Sequence, residues 1–285
     1  MNSVRYSHFR FAPAILSFVI AGCSTATSNE PQWAAVNRKV IEESKVTGRT
    51  RELPELRVPM VLHDGEPTEA GKLPSTTIAP GVKATLWWGR GVLAEHIEMQ
   101  PAASYPEQTL GEELIIVGKD RSAIVQFDGK TVEIAKDDVL YLQPGAKRSV
   151  KAGAKGWRAF EVYSPIRLDH LALAGQNSSG VNVTFPDLGV TPSLQPGNVV
   201  HLTDIPFTPL TNPEEGRSYK RASAHSQLIW GKNAQISLVR MDPGSEMRPH
   251  IHPEDQLTHT TRGTLDQGVM DKSFPALGAV GHMLY

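Results

Sequence analysis

The chain has 285 residues, and its 29 Lys+Arg nearly balance its 30 Asp+Glu. This length allows one or two domains with sizeable cores, and the balanced charge excludes a basic surface for binding nucleic acid. The 21 prolines and 24 glycines indicate many turns and favour an all-β chain over a helical bundle. The single cysteine, Cys23, excludes an intramolecular disulfide.

The N-terminus resembles a secretory leader. Two arginines precede the apolar stretch Phe11–Ile20, which is too short to span a bilayer comfortably. The tetrapeptide that ends at Cys23 resembles a bacterial lipobox, which implies cleavage before Cys23 and attachment of a lipid to it. The alternative is an ordinary secretory signal with a chance cysteine. Both interpretations exclude residues 1–22 from the fold and predict an extracytoplasmic protein. The lipobox predicts a lipoprotein of the bacterial periplasm or outer membrane, held to the membrane by its lipid only.

Residues 23–80 are expected to connect this leader to the folded part of the chain. A Ser/Thr/Asn-rich tether is followed by Ala34–Lys45, whose apolar spacing predicts a short helix. Leu53–Pro80 is rich in turn residues, so we expect it to be irregular or to wrap the following barrel as an arm.

A series of short β-rich segments then predicts a sandwich or barrel. Asp128-Gly129 is a strong hairpin signal between two of them. The predicted strands are 83–88, 91–99, 114–117, 122–127, 131–134, 138–142 and 157–163.

The second half of the chain repeats the first. Leu86, Trp88 and Met99 reappear 142 residues later as Leu228, Trp230 and Met241. After one inserted residue the offset becomes 143, and Pro106 and Leu114 match Pro249 and Leu257. A repeat of this length indicates two copies of one β-unit. We expect domains at 81–170 and 221–285, joined by a linker at 171–220.

The segment from Gly244 to Gly263 carries the strongest chemical signal. His250 and His252 are two residues apart, so on a strand both imidazoles lie on one face and can reach one metal ion. Gln256 follows after a proline break, and a hairpin would return it over the histidines. The alternative is two surface histidines on a hairpin.

This segment resembles the first cupin motif. Gly244 is followed by five residues, His250-x-His252, three residues, Gln256, six residues and Gly263. Gln256 stands where cupins usually carry Glu. With the repeat, the resemblance implies an all-β bicupin of two tandem jelly-roll barrels.

The first copy is predicted to have lost its metal. The offset of 143 places Glu107, Thr109 and Glu113 at the positions of His250, His252 and Gln256. Arg148 stands where the second cupin motif carries a histidine, and arginine stays protonated. Packing, dimer formation and anion binding through Arg148 remain open as roles for this copy.

Two further groups of the first copy have two interpretations each. Glu107, Glu112 and Glu113 could hold a hard cation, although solvated carboxylates are the more common outcome. His170 fits a structural or surface histidine better than a ligand.

The second copy is expected to be incomplete. Tyr285 matches Leu142, so the last strands and the fourth cupin ligand, a histidine, would fall beyond the given sequence. If the protein ended there, the open edge would invite pairing with another chain, which leaves a homodimer open.

His250, His252 and Gln256 form a neutral ligand set that suits Zn²⁺, Mn²⁺, Fe²⁺ or Ni²⁺. Positions left open for water or substrate are typical of catalytic sites. The spacing is also similar to small cupins of pectin degradation, which implies a sugar-acid substrate and assisted ring opening. Asp255 or His259 could move protons, although strand alternation favours an outer, surface position for His259. Arg240 and Arg248 could hold a carboxylate or be solvated.

These observations favour a metal-binding bicupin that acts on or binds a small polar molecule, such as a sugar acid, at the cell envelope. An isomerase or ring-opening enzyme would use this site. The alternatives are a non-enzymatic saccharide-binding cupin lipoprotein, an iron-dependent cupin dioxygenase and a structural or assembly protein.

Overall fold

The computed structural model describes residues 14–17, 62, 68–89, 91–176, 190–209, 224–243, 256–261, 264–269, 272–277 and 282–284. For 14–17 and for the last three ranges, only the backbone is described. No helix in the described part of the chain has the length and hydropathy needed to cross a bilayer. The predicted helix Ala34–Lys45 lies outside the described residues.

The elements are almost all antiparallel strands, which confirms the all-β prediction. A six-residue helix, α1 (Leu168–Leu173), and two 3₁₀ turns, Ala70–Lys72 and Leu202–Asp204, are the helical elements within the described ranges. The strands are β1 (Ala14–Ser17), β2 (Thr68–Glu69), β3 (Ser75–Ala79), β4 (Val82–Trp88), β5 (Leu93–Met99), β6 (Ser104–Thr109), β7 (Glu113–Phe127), β8 (Lys130–Ile134), β9 (Asp138–Leu142), β10 (Lys147–Ser164), β11 (Val199–His201), β12 (Thr208–Pro209), β13 (Ala224–Trp230), β14 (Gln235–Met241), β15 (Thr258–Thr260), β16 (Thr264–Val269), β17 (Lys272–Leu277) and β18 (His282–Leu284).

Strands β3–β10 form the first unit, a jelly-roll sandwich. The sheet order is β11-β9-β7-β10-β5-β4-β3, with β6 paired to β10 and β8 paired to β7. Asp128 and Gly129 both have positive φ and form the predicted two-residue turn between β7 and β8. Alternating apolar residues fill the space between the two layers, among them Leu86, Leu114 and Trp157.

The two longest strands, β7 and β10, each take part in both layers. Their pairing register shifts between Ala152 and Trp157, where the strands bend. Gly156 lies at this bend with φ of +83°, and a Cβ there would lie 2.5 Å from the carbonyl oxygen of Met99. A strand that bends at a bulge can pass from one sheet to the other, so the bend closes the sandwich.

Strands β12–β18 form a second unit with the same order. Its sheet runs β12-β13-β14-β1-β15-β18-β2. The hairpin β13–β14 repeats β4–β5 residue for residue: Ala224 pairs with Met241 as Val82 pairs with Met99. The separate hairpin β16–β17 pairs Leu265 with Ala276 as β7–β8 pairs Ala123 with Ile134.

A second apolar cluster joins the two units. It lies on the outer face of the first unit, where Trp87, Ile115 and Phe160 are buried. Ile229, Ile236 and Leu257 of the second unit complete it. Side chains on the outer face of the first unit's strands, which point away from its own core, are therefore buried in the cluster between the units.

The segment before each unit crosses to the other unit. Strand β2 pairs with β18 of the second unit, and β11 pairs with β9 of the first. A 3₁₀ turn follows each of these strands. After β2 the chain returns to the first sheet at β3, and after β11 it returns to the second sheet at β12. In Leu53–Pro80, which was expected to be irregular or to wrap the first barrel, Thr68–Glu69 instead pairs with the second unit. The stretch 171–220, expected as a linker, contains β11 and β12.

Ala14–Ser17 lies in the second sheet, although residues 1–22 were expected outside the fold. It pairs with both β14 and β15, at the position that β10 takes between β5 and β7. The second unit therefore has a strand position between β14 and β15, and the leader segment supplies that strand here.

The pairing registers correct the offset of the repeat. Leu16 pairs with Leu238 and His259 as Phe160 pairs with His96 and Val117. His259 is thus equivalent to Val117, an offset of 142, where the sequence comparison predicted 143. The one-residue difference matters because it exchanges the two faces of a strand.

Candidate functional site

The predicted metal ligands are only partly described. His250 and His252 lie outside the described residues, as do Asp255, Arg248 and the predicted lipid-bearing Cys23. Gln256 is described and is half-buried, two residues before β15 begins. Within the described ranges, no three His, Cys, Asp or Glu side chains are grouped closely enough to hold a metal ion.

The alternation of β15, carried back two residues, places Gln256 on the side that faces into the second unit. Leu257 and His259 contact the apolar cluster between the units. Since side chains alternate along a strand, Gln256, Thr258 and Thr260 face the opposite way. With the corrected offset, Gln256 is equivalent to Leu114, which lies in the core of the first unit. Glu113 is therefore not its counterpart.

The neighbouring strands extend this surface with further small polar side chains. Ser226 and Ser237 are both buried, and their hydroxyl oxygens lie 2.5 Å apart. We call the set of Ser226, Gln235, Ser237, Gln256, Thr258 and Thr260 the inner face of the second unit. Their equivalents in the first unit are Ala84, Leu93, Glu95, Leu114, Ile116 and Gly118. At these six positions the second unit has neutral polar side chains, whereas the first has one carboxylate, Glu95, and otherwise apolar residues or glycine.

This surface fits the metal site that the motif predicts. An amide oxygen at Gln256 is a ligand of the kind that divalent transition ions accept, and it is positioned toward the interior. The hydroxyl of Thr260 is fully buried and has no hydrogen-bond partner in the described structure. Buried polar groups without partners are rare, so this hydroxyl is consistent with an interior that receives a polar guest.

The corresponding interior of the first unit is filled by charged side chains. Arg148 is buried, and its Nη2 donates to Glu161 Oε1 at 2.6 Å. Its Nη1 donates to the Tyr163 hydroxyl at 3.0 Å, which in turn donates to Glu161 Oε2 at 2.5 Å. Arg167 also donates to Tyr163, at 3.3 Å. The Glu161 carboxylate neutralises the Arg148 guanidinium, of which only Nε lacks a hydrogen-bond partner in the described structure, so the structure supports a packing role over anion binding.

His170 belongs to the same buried group. Its Nδ1 lies 2.7 Å from Glu95 Oε1, and its Nε2 lies 2.8 Å from the Tyr105 hydroxyl. Burial raises the pKa of Glu95, while the hydrogen bond to His170 acts in the opposite direction. His170 is thus structural, as predicted, although it is buried and not on the surface.

The acidic cluster of the first unit separates into three environments. Glu107 is exposed, and Glu112 is half-buried with a pKa raised by burial. Glu113 is fully buried and points out of its own sandwich. Neither a shared cation site nor three solvated carboxylates describes this arrangement.

Glu113 binds the turn between β13 and β14. Its carboxylate accepts hydrogen bonds from the backbone N–H groups of Lys232, Asn233 and Ala234, each at 2.7 Å. The Tyr141 hydroxyl donates at 3.3 Å. Burial raises the pKa of Glu113, but all four partners are donors and favour the ionised form. The carboxylate thus joins the two units, a role that no sequence motif indicates.

His259 was expected on the surface of the outer face. It does lie on the outer face, but the first unit covers it. Its ring lies 5.2 Å from Phe160 and 6.0 Å from Trp87, measured between centroids in edge-on geometry. Burial, with contributions from Lys119 and His96, lowers the pKa of His259 to about 3.

This histidine predicts a loss of stability in acid. The folded state keeps the ring neutral, whereas the unfolded chain protonates it near pH 6.5. Its contribution is therefore complete above pH 6.5 and is lost as the pH falls toward 3, by up to about 1.4 kcal/mol per pH unit. We expect urea unfolding at pH 7 to 4 to show a shallower decline for His259→Leu than for wild type. His225→Leu, on β13, is the control, and equal slopes for wild type and His259→Leu would contradict the prediction.

Comparisons with known proteins give structural similarity only. No protein-family model matches the chain, and no curated protein matches it. Among solved structures, KdgF from Halomonas sp. is 13% identical with a TM-score of 0.35, covering 37% of this chain and 97% of its own. An RmlC-like cupin from Shewanella frigidimarina is 15% identical with a TM-score of 0.34, covering 40% and 97%. A salicylate 1,2-dioxygenase from Pseudaminobacter salicylatoxidans is 14% identical with a TM-score of 0.29, covering 31% and 27%.

Proposed function

We propose that this chain is a bicupin whose second barrel binds a divalent transition metal through His250, His252 and Gln256. The observation that carries the proposal is the complete motif spacing from Gly244 to Gly263. The alternation of β15, which carried back two residues turns Gln256 inward, supports it. So does the recurrence of the same strand order and registers in both units.

The proposed molecule bound at this site is small and polar, and the motif resemblance suggests a sugar acid. The metal would supply Lewis-acid polarisation of a bound oxygen. The two imidazoles would hold the ion, Gln256 would add a neutral oxygen, and Thr258 and Thr260 would orient the bound molecule by hydrogen bonding. His259 takes no part in proton transfer on this proposal, because it lies on the opposite face of β15.

A non-enzymatic binding protein is the second candidate. Among the described residues of the inner face, none is an acid or base that could transfer a proton at neutral pH. The described part of the inner face therefore favours saccharide binding over isomerisation. An iron-dependent dioxygenase would need redox-active iron, so the identity of the bound metal separates it from the other two.

The metal site is tested by the metal content of purified variants of the full chain. We expect about one equivalent in wild type and less than a tenth of that in His250→Ala and in His252→Ala. Gln256→Ala should retain less metal than wild type, because it removes one ligand. Glu107→Ala is the matched control, since its side chain is exposed, and it should retain full metal. Wild-type metal content in both histidine variants would refute the site.

We also propose that the protein is a lipoprotein anchored through Cys23. Cleavage before Cys23 would remove Ala14–Ser17 and leave the strand position between β14 and β15 to another segment. Globomycin treatment should cause the precursor to accumulate, and Cys23→Ala should do the same. Normal processing under globomycin would refute lipid attachment.

A further inference from the structure

We infer that the boundary between the two units binds a small oxyanion, a carboxylate or a phosphate, through His96, Lys119 and His259. We call these three side chains the interunit basic cluster. They lie on the outer faces of the two sandwiches, where Phe160 and Trp87 are buried between the units. Neither sandwich interior is part of this site, which is therefore independent of the proposed metal.

The three side chains of the cluster surround one aromatic ring, that of Phe160. His96 is the cross-strand partner of Phe160, and the two ring centroids lie 5.4 Å apart. The His259 ring lies 5.2 Å from the same centroid, and the Lys119 Nζ atom lies 4.8 Å from it. Two of these groups come from the first unit and one from the second, so the cluster exists only where the units meet.

Solvent reaches the cluster, although its floor is dry. All three basic side chains are half-buried, whereas Phe160 and Trp87 are buried. A ligand can therefore enter from the surface and lie against an aromatic floor. Charge interactions at such a partly buried position are screened much less than on an open surface.

The cluster has no acidic partner among the described residues. Burial lowers the pKa values of all three groups, and the Lys119 charge lowers those of both histidines further. Glu98 and Asp137 act in the opposite direction on His96 and Lys119, but neither forms an ion pair with the cluster. Asp137 instead pairs with Lys136 at 3.4 Å. A bound oxyanion would replace this mutual repulsion with attraction and accept charge-assisted hydrogen bonds.

An unpaired nitrogen in the cluster also points to a ligand. The Nδ1 atom of His259 is buried and has no hydrogen-bond partner in the described part of the chain. The cross-strand neighbours of His259 are Leu16 and Met283, which are apolar residues. Buried polar atoms without partners are rare, and the oxygen of an anion would provide one here.

A metal ion is a poorer fit to the same groups. Two imidazoles are common metal ligands, but the Lys119 ammonium has three donors and no lone pair. It would repel a cation, whereas it attracts an anion. The donor set therefore favours an oxyanion over a metal.

The test follows the histidine ring signals of the full chain by NMR while anions are added at pH 7 and constant ionic strength. Inorganic phosphate and acetate are the probes, and chloride is the reference. We expect at least one probe to shift the signals of His96 and His259 in a saturable way, and chloride to leave them unchanged. The tighter of the two probes identifies the group as a phosphate or a carboxylate.

Two matched variants locate the bound anion. Lys119→Met should weaken binding about tenfold or more, because it removes a charged partner. Lys130→Met is the control: its Nζ atom also lies over an aromatic ring, 6.0 Å from the Phe127 centroid, but outside the cluster. It should bind as wild type does. His250→Ala, which lacks metal on the proposed function, should also bind the anion normally.

Three results would overturn the inference: no saturable shift with either probe, wild-type affinity in Lys119→Met, and loss of binding in His250→Ala. The last would place the anion on the metal and leave the proposed function intact. If Lys119→Met does not fold, the wild type decides. A bound anion favours the protonated ring and must raise the pKa of His259 from about 3, so an unchanged pKa refutes the site.

Discussion

Replacing Glu113 with alanine is expected to lower the free energy of unfolding by about 2–4 kcal/mol, because it removes the charged acceptor of several hydrogen bonds and a buried group left unpaired costs about 1–3 kcal/mol. The carboxylate is the shared acceptor of three backbone N–H groups in the β13–β14 turn. Its removal takes the acceptor from all three donors, of which the Ala234 N–H is buried and the other two are partly buried, and a buried donor without a partner is costly. The turn also lies close to Glu113 at the start of β7: a Cβ on Gly231 would be only 2.7 Å from Glu113 Oε2.

Urea unfolding of the purified variants measures this effect. Glu107→Ala is the control, and its exposed side chain predicts a change within about 0.5 kcal/mol. Glu113→Gln keeps one acceptor oxygen but turns an amide N–H₂ toward backbone donors, so we expect an intermediate loss. A change below about 1 kcal/mol in Glu113→Ala would show that the turn finds other partners.

Replacing Arg148 with methionine is expected to cost about 3–5 kcal/mol, because it leaves the Glu161 carboxylate buried without its cation. The guanidinium also lies 5.0 Å above the Tyr105 ring, so the substitution removes a cation–π contact as well.

A double-mutant cycle with Glu161→Leu separates the charge from the packing. We expect the double variant to recover most of the stability, since an apolar pair can replace a buried ion pair at little cost. The cycle is read by urea unfolding. If the double variant lost as much as the sum of the single ones, the two side chains would not act as a pair.

The first unit was largely predictable from sequence. Its strands are β-rich segments separated by turn residues, and Asp128-Gly129 has the backbone freedom that a tight hairpin turn requires. What the sequence did not show is that the outward residues are buried too. Trp87 and Phe160 lie under the second unit, and a strand with two buried faces has no polar side to indicate its orientation.

The repeat was visible in the sequence, but its alignment was one residue out near the motif. Matching Leu114 with Leu257 pairs two apolar residues that face opposite sides of their strands. Only the hydrogen-bond registers distinguish them. For the same reason, Glu113 was assigned to the metal position, whereas it is a carboxylate whose partners lie 119 to 121 residues away. Long-range partners of this kind leave no local spacing to detect.

The exchanged strands β2 and β11 have a consequence for synthesis on the ribosome. The edge of β9 acquires its partner only when Val199–His201 leaves the exit tunnel, long after the rest of the first barrel has been translated. Conversely, Thr68–Glu69 is translated early but has no strand to pair with until His282–Leu284 is translated. During that interval the nascent chain presents two unpaired β edges, the features that most often recruit chaperones or lead to misassembly. Expressing either barrel alone would make that transient exposure permanent.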